Sequence, residues 1–406
     1  MNEPLLKYAG KKILVGMTGG IACYKICELV RHFVKNGAEV RVIMTKNATE
    51  FVSTLTMETL SGHPVSTEIF SSRDIAHPEM TGTHHIDLAQ WPDLLLIAPA
   101  GGNIVGKIAS GIADDLLSTV AMACPKPILL ALAMNDKMYL NPIVQRNIKT
   151  LREFNYGIID PETGFLAEGY EGVGRLAELD KIIWQIEKKL FGSNLLKYRK
   201  ILVTAGPTHE PLDPVRILTN HSSGKMGYAI AKEAALQGAV VTLISGPTHL
   251  DAPHDVQTIR VSSADDMTKA VEQNLSDQDI VIMAAAVADF TPAEKKEQKI
   301  KKSDVLTLHL NKTKDILAGI APLKGKKIVV GFALETENEI ANARKKLTDK
   351  KLDLIILNNP KETGAGFNTD TNAVTIIDSN NAEKLPLMSK EDAAREIIVR
   401  IIKLLG

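Results

Sequence analysis

The chain has 406 residues, 45% hydrophobic and 24% charged: the balance of a soluble globular protein, and too long for one ordinary core. Lys+Arg and Asp+Glu are both 48, so no net field draws the chain onto nucleic acid or an anionic membrane. Three cysteines (Cys23, Cys27, Cys124) are too few for a disulfide framework or a zinc set and read as buried thiols. No apolar run reaches the ~18 residues of a membrane helix, and no apolar signal core precedes the first strand, so a cytoplasmic protein is expected.

In chain order, 12–15 reads as a strand, 21–35 as a helix and 39–44 as a strand, followed by strands at 94–98 and 127–132. Such a β-α-β series implies a mostly parallel sheet covered on both faces, with ligands beyond the C-terminal strand ends. The amphipathic stretch 179–190 closes this half, and a polar stretch follows it, which sets the domains at 1–190 and 198–406 with a linker at 191–197. The second half repeats the logic, with strands expected at 201–203, 240–244, 280–286, 328–331 and 353–357. Residues 204–227 hold an unusually long strand-to-helix connection, of a length that in compact domains is usually functional. Residues 292–303 are charged and read as an exposed loop, and 390–405 as an amphipathic helix. The fold class is therefore α/β, two Rossmann-like domains in tandem.

The turn Gly16–Gly20 brings backbone N–H groups and a helix N-terminus together, a setting that favours an anion such as phosphate. It is not a G-x-G-x-x-G dinucleotide fingerprint, and alone it carries little. Read with RVIMTKNATEFV, HHIDLAQWPDLLLIAPAGGN and AMNDKMY, the run GGIACYK resembles the FMN-dependent cysteine decarboxylase family over about 1–190. That family has a flavodoxin-like flavoprotein fold. The resemblance implies that Thr18, Gly19, Gly20, Thr45, Pro99 and Asn103 hold flavin mononucleotide, the first four at or near its phosphate. It implies His85 as the catalytic histidine, a group able to move protons near neutrality, with His84 a bystander. It also implies Asn135 as the amide that grips the substrate carboxylate. Two positions depart from the pattern: Leu132 replaces a proline, and Glu168 stands where the flap often carries a proton-donating cysteine. A carboxylic acid in a closed flap could deliver that proton. Glu168 as a merely solvated loop charge is the alternative.

The second half resembles the phosphopantothenate–cysteine ligase family over about 198–406, on Asp213-Pro214-Val215-Arg216, Asn220-His221-Ser222-Ser223-Gly224-Lys225-Met226-Gly227, AAAVADF, KIKK, Lys314-Asp315-Ile316-Leu317 and GFALET. The resemblance implies that Asn220 contacts an acyl-phosphate intermediate and Lys299 acts on the transferring phosphoryl group. Ala284, Ala285, Asp289, Lys314, Asp315, Ile316, Leu317, Phe332, Lys346 and Lys350 would form the CTP site, with Mg2+ shared between Asp289 and the phosphates. Lys314 replaces the usual proline. A triphosphate calls for several cations, and phosphate-bound magnesium needs only one or two carboxylates.

Together the two resemblances imply the bacterial fused decarboxylase–ligase family of coenzyme A synthesis. Its substrates are 4′-phosphopantothenate, cysteine and CTP, with neither nucleic acid nor membrane as partner. They also imply a homo-oligomer of decarboxylase trimers and ligase dimers, assembled as a dodecamer. Two alternatives are another flavoprotein of the same fold, such as a flavin prenyltransferase, and a non-catalytic regulatory paralogue. The HI-x-L and MN-x-x-M segments and the fused second half argue against both.

Overall fold

The computed structural model describes residues 6–69, 83–301, 306–335, 337–358, 364, 366 and 369–405. Lys302 of the KIKK segment and Ser303 of the charged stretch lie outside the described residues. The chain divides into two compact units, Met1–Phe191 and Gly192–Gly406.

The first unit is built on β1 (Lys12–Met17), β2 (Glu39–Met44), β3 (Leu94–Ala100), β4 (Ile128–Leu132) and β5 (Gly157–Ile159), in the sheet order β2-β1-β3-β4-β5 and parallel throughout. Side chains of a strand alternate between faces, and both faces here are apolar. Ile13, Val15 and Met17 of β1, with Leu94, Leu96 and Ala98 of β3, enter one core; Leu14, Leu95 and Ile97 enter the other. Helix Cys23–Lys35 covers the first face with Cys23, Ile26, Leu29, Val30 and Phe33, the three-to-four spacing of an amphipathic helix. Helices Gly102–Ser110, Leu116–Ala123 and Pro142–Glu153 bury Ile104, Val105, Leu117, Val120, Ile148 and Leu151 against the second. The strand order reverses between β1 and β3, and an open sheet leaves its ligand crevice at that switch point. After β5 comes the hairpin β6 (Glu162–Phe165) and β7 (Glu171–Arg175), which composition alone does not announce.

In the second unit the strands are β8 (Lys200–Ala205), β9 (His209–Pro211), β10 (Ile217–Thr219), β11 (Val240–Ser245), β12 (Val256–Arg260), β13 (Ile280–Met283), β14 (Phe290–Pro292), β15 (Leu310–Lys312), β16 (Ile328–Leu334), β17 (Leu354–Asn358), β18 (Thr371–Asn372), β19 (Val374–Ile377), β20 (Ala382–Lys384) and β21 (Met388–Ser389). The main sheet runs β12-β11-β8-β13-β16-β17-β19-β20, parallel up to β17 and closed by two antiparallel strands. Its switch point lies between β8 and β13. The strand expected over 280–286 stops at Met283, because the N–H groups of Ala285, Ala286 and Ala288 bond instead to Thr204 near the end of β8 and to Gly206 and Thr208 just beyond it. That connection is not structureless: β9 and β10 pair within it. All three cysteines are free; Cys23 is buried as expected, whereas Cys27 and Cys124 are only half-buried, and burial is the chief cause that pushes each thiol up.

Candidate active sites

At the β1/β3 switch point of the first unit lies a cavity of about 780 Å³, within the ~300–1,000 Å³ of small-molecule pockets. Thr18, Gly19, Gly20, Thr45, Pro99 and Asn103 all line it. The Thr18 hydroxyl donates to Pro99 O at 2.6 Å and accepts from Gly101 N–H at 3.3 Å, which ties the end of β1 to the end of β3. A Cβ on Gly19 would lie 2.4 Å from Asn47 Cβ and 2.9 Å from the Asn47 carbonyl, so only glycine lets these turns meet. On Gly20 it would meet nothing closer than Pro99 Cγ at 3.9 Å, leaving a cradle that side chains do not fill. Helix Cys23–Lys35 opens beside this turn with no side-chain cap and no acidic residue in its first turn. Its N–H groups and dipole favour an anion there.

Lys25 and Lys46 line the same wall, and neither has a carboxylate partner among the described residues. Lys107 also lines the cavity but is neutralised by Asp114 at 2.6 Å and Asp115 at 2.7 Å. Burial opposes the charge on both Lys107 and Asp115. Their mutual pairing outweighs it, holding the ammonium above and the Asp115 carboxyl below its ordinary value. Lys25 and Lys46 carry no role in the motif reading; Lys46 follows Thr45 directly and is legible only as part of that strand end. Glycine cradle, uncapped helix and two unpaired cations fit the phosphate end of the expected flavin mononucleotide.

Asn135 also lines this cavity, as the N-cap of the short helix Asp136–Tyr139. Its Oδ1 accepts from Lys137 N–H at 2.9 Å, and this leaves Nδ2 as a donor. Nδ2 donates to Glu168 Oε1 at 2.8 Å and to Tyr170 Oη at 3.0 Å, while the Tyr170 hydroxyl donates to Asp136 Oδ1 at 2.6 Å. The carboxylate beside it pushes the Tyr170 phenol up from its ordinary value. Glu168 and Tyr170 belong to the turn of the β6–β7 hairpin, where Leu166 N–H bonds Tyr170 O at 2.8 Å. The hairpin is seated by Met134 N–H donating to Gly174 O at 3.0 Å, and a Cβ on Gly174 would stand 2.0 Å from Met134 O. Tyr170 is a polar contact that motif reading passed over, since no spacing rule marks it.

His85 lies on helix His84–Gln90, half-buried, and is not among the residues lining the cavity. Its Nδ1 is buried with no hydrogen-bond partner among the described residues. His84 is engaged instead: its Nε2 lies 3.2 Å from Ser66 Oγ.

In the second unit the connections after β8 and β13 meet at the switch point. Ala285 N–H donates to Thr204 Oγ1 at 3.2 Å, Ala286 N–H to Gly206 O at 2.9 Å and Ala288 N–H to Thr208 Oγ1 at 3.0 Å. Asn220 Nδ2 reaches Ala286 O at 3.3 Å and Val287 O at 3.1 Å, so it is joined to the strand end carrying Ala284, Ala285 and exposed Asp289. Asp213 is buried; it accepts from Val215 and Arg216 N–H at 2.7 and 2.8 Å and from Ile300 N–H at 3.0 Å. Arg216 Nη2 donates to Ile300 O at 2.6 Å. These bonds fix the peptide next to Lys299, which is exposed and unpaired among the described residues.

The remaining expected cations are paired. Lys314 bonds Glu272, Lys346 bonds Glu335 at 2.6 Å, and Lys350 bonds Asp315 at 2.9 Å. Asp315 also caps helix Ile316–Ile320, which begins with Ile316 and Leu317, by accepting from Ala318 N–H at 3.1 Å. Phe332 lies half-buried on β16. Among the described residues no group of three or more His, Cys, Asp or Glu gathers to hold a metal ion, and no helix is long and apolar enough to cross a membrane.

Comparison with known proteins agrees with this two-part organisation. Residues 1–191 match the flavoprotein family, and residues 196–405 match the DNA/pantothenate metabolism flavoprotein C-terminal domain. The chain is 47% identical over 399 residues to the coenzyme A biosynthesis bifunctional protein CoaBC of Bacillus subtilis (strain 168), covering 97% of each. With the protein of that name from Escherichia coli (strain K12) it shares 42% identity over 402 residues, covering 98% of each. A crystal structure of the C-terminal domain of a CoaBC protein aligns with 52% of this chain and 98% of its own, at 42% identity and a TM-score of 0.46. With both family models matched in order and relatives aligned end to end, the chain belongs to the family of bifunctional coenzyme A biosynthesis proteins.

Proposed function

We propose that the two units carry out consecutive steps, ligation in residues 198–406 and decarboxylation in residues 1–190. The chain is a bifunctional decarboxylase and ligase of coenzyme A biosynthesis. In the ligase unit a carboxylate oxygen of 4′-phosphopantothenate attacks the α-phosphorus of CTP, and pyrophosphate leaves. The amine of cysteine then attacks the acyl carbon, CMP departs and the amine loses a proton. Lys299 meets the charge that develops on the phosphoryl group. Asn220 holds the acyl-cytidylate, and Ala284, Ala285 and Phe332 receive the nucleotide. Lys314, Asp315, Ile316, Leu317, Lys346 and Lys350 line the triphosphate end, where the phosphates must displace or share the carboxylates that now pair the lysines. Asp289 would hold Mg2+ together with the phosphates, where the ion would offset the charge on them, and a phosphate-bound magnesium needs only one or two carboxylates from the protein.

In the decarboxylase unit Thr18, Gly19, Gly20, Thr45, Pro99 and Asn103 would hold flavin mononucleotide. When bound, that group supplies a reversible two-electron sink beside the cysteinyl carbon, so that the carboxylate can leave as CO2. Asn135 donates to the substrate carboxylate, His85 moves the proton in the oxidation and decarboxylation, and Glu168 returns the final proton. The family resemblance also implies flavin sites between decarboxylase subunits, and this reading adopts them; His85 lying off the cavity of its own chain is consistent with it. The observation that carries the reading is the cavity at the β1/β3 switch point, lined by both the glycine cradle and Asn135. The test is product mass from purified protein given 4′-phosphopantothenate, cysteine, CTP and magnesium. Phosphopantetheine and CO2 are expected. A halt at phosphopantothenoylcysteine would remove the decarboxylase assignment, and absence of any amide would overturn the whole reading.

A further inference from the structure

The Asn135 amide already holds a carboxylate. Its Oδ1 is committed to Lys137 N–H, and one Nδ2 hydrogen goes to Tyr170, whose own proton is given to Asp136. The other goes to Glu168 Oε1 at 2.8 Å, inside the cavity that both residues line. Every polar atom of the Asn135 side chain is thus engaged, and the group facing it has the same chemistry as the one it is proposed to bind. The hairpin stem is anchored through Gly174 on Met134, whereas Glu168 sits exposed in the turn beside Gly169, whose φ is +89°. A side chain so placed can leave Asn135 without unseating the stem.

We propose that Glu168 is an internal occupant of the carboxylate subsite: the substrate's carboxylate must displace it, and it returns once that carboxylate has left as CO2. This rests on the reading of Asn135 as the carboxylate-binding residue. Two carboxylates on one N–H donor would each hold it weakly and would repel one another, so substrate and Glu168 compete for Asn135. The decarboxylated product carries no such charge and binds with Glu168 still on Asn135. Glu168 therefore sets how strongly the site prefers substrate over product, separately from any proton it delivers.

The test compares two unreactive ligands that differ only in the carboxylate, 4′-phosphopantothenoyl-alanine and 4′-phosphopantothenoyl-ethylamine, titrated calorimetrically into the flavin-loaded full chain. Removing the competing charge-assisted hydrogen bond in Glu168→Ala should tighten the alanine ligand about ten-fold and change the ethylamine ligand by less than about two-fold. Glu168→Gln, which keeps an acceptor but loses the charge, should fall between. Hydrogen exchange at 166–170 should rise with the alanine ligand alone. Equal shifts for both ligands, or no tightening of the alanine ligand, would overturn the proposal. Asn135→Ala separates the two levels: if it binds both ligands as the unsubstituted protein does, the role of Asn135 itself fails. If it loses the preference for the carboxylate while Glu168→Ala changes nothing, only the present inference fails.

Discussion

In the proposed mechanism, single side chains divide this protein's chemistry into two separable activities. His85 carries a buried Nδ1 with no hydrogen-bond partner among the described residues, whereas His84 lies beside the Ser66 hydroxyl; a buried polar atom left unsatisfied calls for an explanation, and the proposed catalytic role offers one. His85→Asn should reduce CO2 release by at least about a hundred-fold, the usual scale of a lost general acid–base group, with flavin absorbance and cytidylate formation intact. Lys299→Gln should do the reverse. Decarboxylation surviving the first change, or ligase kinetics unmoved by the second, would strip that residue of its role. Both residues were legible as motif members. Their surroundings were not, because the partners of a side chain come from distant segments: Asn135 meets Glu168 across 33 residues, and Asp213 meets Ile300 across 87.

At the scale of elements, two connections that the proposed mechanism uses are pinned at their bases. The β6–β7 hairpin sits on the Met134 peptide at a position where a methyl group has no room. Gly174→Ala should therefore displace the flap and lower decarboxylation at least ten-fold while ligase activity is kept; a normal rate would mean that the flap's seat is irrelevant. The lysine loop is held by Asp213. Burial alone would raise its carboxyl, but the N–H groups of Ile300, Val215 and Arg216 and the Arg216 guanidinium outweigh this and hold it below the ordinary carboxylate range. Its contribution is complete above the unfolded value of about 4 and is lost as the pH falls through the lower folded value. Hydrogen exchange at 299–301 should accelerate below pH ~4 in the unsubstituted protein, whereas Asp213→Asn should exchange fast at every pH. An identical profile in both would refute the clamp. Neither hairpin nor clamp shows in periodicity, since short strands joined through a turn and a buried Asp in a polar loop have no repeating apolar pattern.

Over the whole molecule, apolar surface remains exposed in both units. Val215 is 65% exposed, Ile217 45%, Phe290 50%, Leu306 47%, Leu308 41% and Leu310 42%, all on or beside β10, β14 and β15; in the first unit Leu55 is 69% exposed and Phe165 70%. Large exposed apolar groups gathered in this way mark interaction surfaces. They support the proposed homo-oligomer, in which ligase units pair and decarboxylase units form trimers. Light scattering should return a mass several times the 44.2 kDa of one chain, and Leu310→Glu should reduce it by breaking the ligase pairing. A monomer before substitution would refute the assembly.

The sequence by itself determined the two α/β units and the main strands and helices, and it pointed to the strand ends where ligands are proposed to bind, because alternating and three-to-four apolar spacing and glycine at strand ends are local signals. It did not determine which polar groups face one another. Tertiary structure decided that the strand expected to reach 286 ends at Met283, that Glu168 rests on Asn135, that Arg216 and Asp213 hold the peptide beside Lys299, and that His85 lies away from the cavity of its own chain. The physical reason is the same throughout. A hydrogen bond between distant residues depends on where the sheet order reverses and on how a loop is seated, and neither is encoded within a window of neighbouring residues.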